Sequence, residues 1–296
     1  MAQGNNGLLG LSLTVIAEQS LPVLQKRLAP LALFTTDFSS EVATMGSAVS
    51  TRIPDQLVAQ DYSRATGYNA LAASSSAVTI TLNKHKHFTI GFDDSEVGNI
   101  GLPLLQSVFI EPAINSILNA VQNDVLTILT SSLYPSTYSA SYASFGFSGL
   151  VNGQKTLDAS GSNSPRGALL GTNLYYDLLD DIKGVYSTGA DALRRGEVGM
   201  IANVGTALVP STFFAGTGLA GFIGGKDAVA MAARLPGVPA SPFITIANIT
   251  DPISGFTVQL RQWYSPDEGM WKLSAVAIYG VVMGNPSSGV RILSTD

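Results

Sequence analysis

Both histidines of the chain, His85 and His87, lie two positions apart in N-K-H-K-H-F-T-I-G-F-D-D-S-E, Asn83 to Glu96, flanked by Lys84 and Lys86 and followed by Asp93, Asp94 and Glu96. Imidazoles and carboxylates this near in sequence are the material of a metal site or a general base. The spacing works against both. On an extended strand His85 and His87 share one face and offer two ligands, but a site normally needs a third or fourth. Asp93 and Asp94 lie too far along the same strand to complete it. A Ser-His-Asp or Cys-His arrangement would have to use one of these two histidines. The chain has no cysteine and no G-x-S-x-G elbow. The pair therefore reads as surface or interface histidines, and no catalytic residue, metal or cofactor is assigned.

Gly216-Thr217-Gly218-Leu219-Ala220-Gly221 matches G-x-G-x-x-G, whose glycines let a backbone approach a pyrophosphate at a helix N-terminus. The context fails. Gly224 and Gly225 interrupt the helix that should follow, no βαβ alternation surrounds the motif, and no acid stands about twenty residues on, Asp251 being the closest to that position. A Gly-rich turn is the simpler reading, with a nucleotide-binding enzyme as its rival. Asn248-Ile249-Thr250 fits the glycosylation triplet but lacks a secretory context.

The histidines sit in a strand pattern. Val78, Ile80, Leu82, Phe88, Ile90 and Phe92 fall on one face at a period of two, and Thr79, Thr81, His85, His87 and Thr89 on the other. Fifteen residues at the usual rise make a ribbon of about 50 Å, longer than its own domain. A projecting ribbon is marginal alone in water, so its apolar face is expected to pack on another subunit. Lys84 and Lys86, the only interruptions of that face, would then mark where the ribbon leaves its own core. Before it, residues 42 to 54 have extended character, and the small polar tract from Gln56 to Ser76 reads as an exposed loop tip.

After it, Asp93, Asp94 and Ser95 supply turn or cap oxygens. A long helix then carries Ile110, Ile114, Ile117, Val121, Val125 and Ile128 at close to 3.6 residues. Pro112 should bend this helix or mark its start. Residues 12 to 28 read as two short helical pieces and Asn173 to Tyr186 as helix, whereas Tyr134 to Gly167 gives no firm assignment. F-T-V-Q-L-R-Q-W-Y, the turn S-P-D-E-G and M-W-K-L-S-A-V-A-I-Y-G-V-V-M-G form a β-hairpin, with Trp263 and Trp271 packing beside the turn, and V-R-I-L is a last strand. The class is α+β, without internal repeats.

Composition bears on function. Charged residues are 12% of the 296, against about 25% in soluble domains. A membrane, a large core or extensive contact with other chains would each explain this, because permanent interfaces lose charged residues first. Val198 to Gly225 is uncharged and long enough to span a bilayer, but seven glycines, Pro210 and the absence of a flanking belt favour buried strands and turns. The first basic residue is Lys26, so there is no secretory n-region. A net charge of -5 opposes a general polyanion binder.

The stretch V-T-I-T-L-N-K-H-K-H-F-T-I-G-F-D-D-S-E, followed by a helix with E-P-A-I-N-S-I-L-N-A-V-Q-N-D, resembles the major capsid proteins of tailed bacteriophages. The likeness continues, in order, through A-L-R-R-G-E-V-G-M-I-A-N-V, G-G-K-D-A-V-A-M-A-A-R-L-P and F-T-V-Q-L-R-Q-W-Y to A-I-Y-G-V. The resemblance implies the Hong-Kong-97-type capsid fold: an N-terminal arm (1–41), an E-loop (42–92), a peripheral domain with a spine helix (93–134 with 251–296) and an axial domain (135–250). It implies a coat protein that catalyses nothing. Such a protein is made in the host bacterial cytoplasm and assembles as hexamers and pentamers into the icosahedral head of a virion.

Implied partners are many copies of itself, a scaffolding protein, a portal protein, a decoration protein as a further candidate, and double-stranded DNA held nonspecifically, with no membrane. The chain starts directly with the arm, so a separate scaffolding protein is expected instead of a fused scaffolding segment. Residues 54 to 77 hold no lysine, so the lysine-to-asparagine crosslinking of some relatives would lack its donor there. Arg64, Ile80, Leu82, Lys84, His85, Lys86 and His87 are the expected intersubunit contacts. An encapsulin-like shell around protein cargo shares the fold and is the alternative.

Overall fold

The computed structural model describes residues 21, 24, 28–54, 59–65, 67–68, 75–100, 102–141, 145–160, 165–182, 200–210, 214, 218–237, 244–251 and 254–295. Leu21, Leu24 and Leu28 are helical, and a 3₁₀ turn (Ala29–Leu33) follows, then β1 (Thr35–Ala43), β2 (Ala48–Pro54), β3 (Ser75–Thr81) and β4 (Lys84–Asp93). Helices α1 (Asp94–Ile100) and α2 (Leu102–Leu126) follow, then β5 (Thr137–Ala140), α3 (Phe147–Ala159), β6 (Arg166–Gly171) and α4 (Thr172–Ile182). The remainder is β7 (Met200–Ile201), β8 (Val204–Val209), β9 (Leu219–Gly225), β10 (Val229–Pro236), β11 (Ile244–Thr250), β12 (Thr257–Ser265), β13 (Met270–Met283) and β14 (Gly289–Ser294). The helical pieces read at 12–28 and the A-D-A-L-R-R segment lie almost wholly outside the described residues.

The first sheet has the order β1-β10-β13-β12-β11, with β4 also paired to β13. The β12–β13 hairpin forms as its alternation and turn residues require, Gly269 taking the positive φ of +62° that closes the turn. Across it the rings of Tyr264 and Trp271 meet at 5.4 Å. Helix α2 lies on the inner face of this sheet. Ile110, Ile114, Ile117, Val121 and Val125 are all buried against it, each worth about 1.5–3 kcal/mol relative to exposure. The helix begins at Leu102, so Pro112 is internal and does not mark its start. It sits on an exposed turn, where the carbonyl it leaves without a donor can reach water.

The single ribbon expected from Val78 to Phe92 is two strands. Leu82 and Asn83 interrupt it: the Leu82 amide donates to Ser47 O (2.9 Å) and Asn83 to Thr81 O (2.9 Å). On one side of the break β3 pairs only with β2, as an antiparallel hairpin from Ala48↔Thr81 to Pro54↔Ser75. On the other side β4 joins β13 from Tyr279↔Lys84 to Met270↔Asp93. The face on which β4 alternates is the expected one, but Lys84 and Lys86 lie within the sheet. Lys84 pairs with Asp124 of α2 at 3.7 Å. The lysines therefore sit at the sheet side of the crossing, on the strand that returns into the core.

The second sheet has the order β5-β14-β9-β6-β8-β7. The sheets cut across the ranges read from sequence: β10 and β11 join the first sheet, and β14 joins the second. Helix α3, unassigned in the Tyr134 to Gly167 stretch, carries Gly149 and Gly153 where helix propensity disfavours them. A Cβ on Gly153 would collide with Ile223 of β9, so this glycine permits close approach of helix and sheet, and one on Gly149 would collide with Phe145, just before the helix. Phe222 of β9 joins the two sheets' cores, 5.2 Å from the Tyr134 ring edge-on and 6.2 Å from Phe34, and the Tyr134 hydroxyl donates to Ala228 O (2.6 Å).

The hairpin crosses the first sheet at its root. Ile80 and Leu82 are buried against Ala230, Ala232 and Ile278, with Val49, Val78 and Val282 beside them. The approach is closest at Gly280, where a Cβ would overlap the Thr81 carbonyl. Gly280→Ala is expected to lose about 1–3 kcal/mol, because backbone cannot swing aside as a flexible side chain can. The readout is a lower denaturant midpoint at unchanged m; a midpoint equal to that of the parent chain would contradict the crossing.

Candidate functional site

The acids of the opening cluster are occupied in turning the chain. Asp93 caps α1: its Oδ1 accepts from the Ser95 amide (3.2 Å), and Glu96 Oε2 accepts from the Asp93 amide (3.2 Å). This is the reciprocal arrangement of a capping box. Asp94 accepts from the Tyr264 hydroxyl (2.8 Å). Among the described residues, no group of three or more histidines and acids is placed to hold a metal ion.

His85 and His87 do share a face. Partners across the ladder, His85↔Ile278, His87↔Val276 and Thr89↔Ser274, continue to Val276↔Gln259 and Ser274↔Arg261 on β12. From there the face runs to β11 through Arg261↔Ile246 and Trp263↔Ile244. It is the outer face of the sheet, opposite α2. Here His85, His87, Thr89, Arg261, Trp263 and Ile244 line an open groove of about 390 Å³ floored by Ser274 and Val276. His87 Nδ1 lies 3.1 Å from Thr89 Oγ1, which donates to Ser274 Oγ (2.9 Å). Arg261 is held by two neutral acceptors, Nε donating to Gln259 Oε1 (2.7 Å) and a terminal nitrogen to Gly237 O (3.2 Å). Burial lowers the Arg261 pKa, and burial, then Arg261, then His87 lower that of His85.

The inner face is organised by Asp124. The hydroxyl of fully buried Tyr279 donates to its Oδ2 (2.7 Å), and Lys84 faces its Oδ1. Burial, reinforced by Asp124, pushes the Tyr279 phenol well above its ordinary range. One carboxylate thus ties α2 to both β13 and β4 at the base of the hairpin.

The remaining expected contact residue, Arg64, is exposed in the hairpin loop. Nearby, Tyr62 and Tyr68 are 61% and 92% exposed, with rings 4.8 Å apart. The Gly67 amide donates to Ser63 O (2.8 Å) and Gly67 has φ +66°, so this part of the loop is a built turn. Ile80 and Leu82 are separate from these exposed groups, being packed inside their own chain. Arg261, Trp263 and Ile244 were missed in the sequence. Their signal was the outward set of the β12 alternation, but which strand would lie beside it was not legible.

The G-x-G-x-x-G glycines do not open a helix: Leu219 to Gly225 is strand β9, and Gly221 faces the Leu169 carbonyl closely. Most described parts of the uncharged stretch from Val198 to Gly225 are strands β7, β8 and β9, with a turn at Ala202 and Asn203. Among the described residues no helix is long and apolar enough to cross a membrane.

No protein-family model and no curated protein matches the chain. Solved structures do. The capsid of cyanophage P-SCSP1u is similar at 12% identity and a TM-score of 0.53, over 89% of this chain and 87% of that one. The mature capsid of bacteriophage PhiM1 matches at 10% identity and 0.51, over 88% and 86%. A virus-like particle from Pyrococcus furiosus matches at 11% identity and 0.55, over 94% and 98%. The chain has the α+β, Hong-Kong-97-type capsid fold.

The groove makes a titration prediction. A histidine whose folded pKa lies below its unfolded value opposes folding at acid pH, so its contribution to stability rises with pH between the two values. His85 is expected to titrate below the ordinary 6.5, and Arg261→Gln should move its NMR midpoint upward, part of the way back. A midpoint at or above 6.5 in the parent chain, or no movement in the variant, would contradict the arrangement.

Proposed function

We propose that this chain is the major coat protein of a tailed bacteriophage, assembling as hexamers and pentamers into an icosahedral head around double-stranded DNA. The observation that carries the reading is the likeness to phage capsid structures over nearly nine-tenths of both chains. The hairpin supports it. A two-stranded ribbon rooted on the sheet and bearing exposed tyrosines at its loop suits contact with another copy better than isolation in water.

In this reading β2 and β3 with their loop are the E-loop. The first sheet with α1 and α2 is the peripheral domain, and the second sheet with α3 and α4 is the axial domain. Residues 1–41 are the arm, whose last residues enter the first sheet as part of β1. Apolar surfaces supply most of the association energy, while Arg64, His85, His87, Lys84 and Lys86 give register. Ile80 and Leu82 contribute indirectly, by holding the hairpin root. The coat has no catalytic role. Scaffolding, portal and decoration proteins are its assembly partners, and the packaged DNA is held nonspecifically, since a subunit of net charge -5 attracts phosphate weakly.

A second reading is a closed shell around protein cargo, favoured by the near-complete coverage of the Pyrococcus furiosus particle. Electron microscopy of the expressed chain, alone and with a scaffolding protein, is expected to show closed icosahedral particles. Protein cargo inside them would select the second reading; a monodisperse monomer under all conditions would contradict both. Free subunits should show only weak DNA binding at physiological salt, and tight, salt-sensitive binding would oppose the coat reading.

A further inference from the structure

Among the described residues the chain passes from one sheet layer to the other three times: between α2 and β5, between β9 and β10, and between β13 and β14. The three passages meet at one node. Tyr134, on the first, donates its hydroxyl to Ala228 O on the second (2.6 Å), and its carbonyl accepts from Arg291 Nε of β14 (2.8 Å). The third passage is laced to the second through backbone, Gly284 donating to Ala228 O (2.8 Å) and Asn285 to Asp227 O (2.8 Å). A Cβ on Gly284 would overlap that Asp227 carbonyl, so these two passages run at backbone distance.

Asp227 brings a carboxylate to the node. Its Oδ2 accepts from Asn285 Nδ2 (3.1 Å) and from the hydroxyl of buried Ser288 (2.8 Å). Hydrogen bonds to a charged acceptor are directed and about twice as strong as neutral ones. The apolar joint of Phe34, Tyr134 and Phe222 is non-directional, holding the layers together without setting their angle. Oδ1 of Asp227, in contrast, is buried and has no partner among the described residues. The closed arrangement thus satisfies one carboxylate oxygen and keeps the other dry. Opening would hydrate the second oxygen and offset part of the two bonds lost. Burial, then the Asp227 charge, pushes the Tyr134 phenol well above its ordinary range, so Tyr134 keeps the proton it donates.

We infer that Asp227 is a latch. With Asn285 and Ser288 it sets the angle between the two sheet layers, and the three passages are the hinge about which the layers turn once it opens. The latch belongs to the single chain; its use, one sequence fitted to hexamers and pentamers alike, rests on the coat reading.

The absence of native cysteine lets spin labels be placed at will. The pair Asp267→Cys with Lys155→Cys reports between the layers and the pair Asp267→Cys with Asn123→Cys within the first layer, all three positions being exposed. In free subunits the parent chain should give one narrow distance distribution for each pair. Asp227→Ala is expected to widen the between-layer distribution by about twofold or more and leave the within-layer one unchanged. Ser288→Ala, which removes one of the two donors and little volume, should widen it by a smaller factor. Parental width between the layers in Asp227→Ala or, should that variant fail to fold, in Ser288→Ala would overturn the latch. Equal widening of both pairs would overturn it too, since that is loss of packing and not a hinge. Because the distances are read on free subunits, either failure leaves the coat reading standing, which particle formation tests separately.

Discussion

The hairpin's attachment to the sheet is the constraint on which the rest depends. β3 passes over β10 and β13 at backbone distance, which requires a residue without Cβ at Gly280 and small partners at Ala230 and Ala232. Ile80 and Leu82 then bury completely against Ile278. The hairpin is therefore anchored to the sheet at its root. Just past the crossing the chain returns as β4, and Asp124 fixes that return by holding Lys84 and Tyr279 together. Root and return lie within a few residues of each other, so a force on the hairpin is transmitted to both α2 and the central strand β13.

The low charge content has a structural counterpart. Part of it is core: α2, both sheets and the joint of Phe222, Tyr134 and Phe34 bury apolar side chains in one continuous cluster. Part is surface, where Tyr62 and Tyr68 at the loop and Val108 and Phe109 on α2 face outward. Apolar groups in such positions are cheap to cover with another copy and costly to leave in water. Among the described residues, charges serve as caps on α1, as the Asp124 tie and along the groove of His85, His87 and Arg261.

Much of the fold was legible because local pattern and tertiary role coincide. The isoleucine and valine spacing of α2 as far as Val125 and the β12–β13 hairpin lie where expected, whereas Ile128 falls past the helix end in a turn and is half-buried. The break at Leu82 and Asn83 was not legible, because the alternation keeps its parity through it. Ile80 and Leu82 cover the outer face of the sheet, whereas Phe88, Ile90 and Phe92 serve the inner core, and only strand pairing separates the two roles. Helix α3 was hidden for another reason: its glycines oppose helix formation locally and are needed only because Ile223 and Phe145 stand so close. The His85 and His87 cluster was visible as a face but not as a groove, since Arg261 and Trp263 arrive from strands more than 170 residues away.

The central claim of the proposed function is that the hairpin is completed by neighbouring copies. Amide hydrogen exchange measured on free subunits and on assembled particles addresses it directly, because exchange reports opening and coverage residue by residue. The account predicts that amides of the residues 59–65 loop exchange rapidly in the free subunit and become strongly protected in particles, while those of the hairpin root at Ile80 and Leu82 and of α2 are protected in both. Equal exchange of the loop in the two states would contradict it.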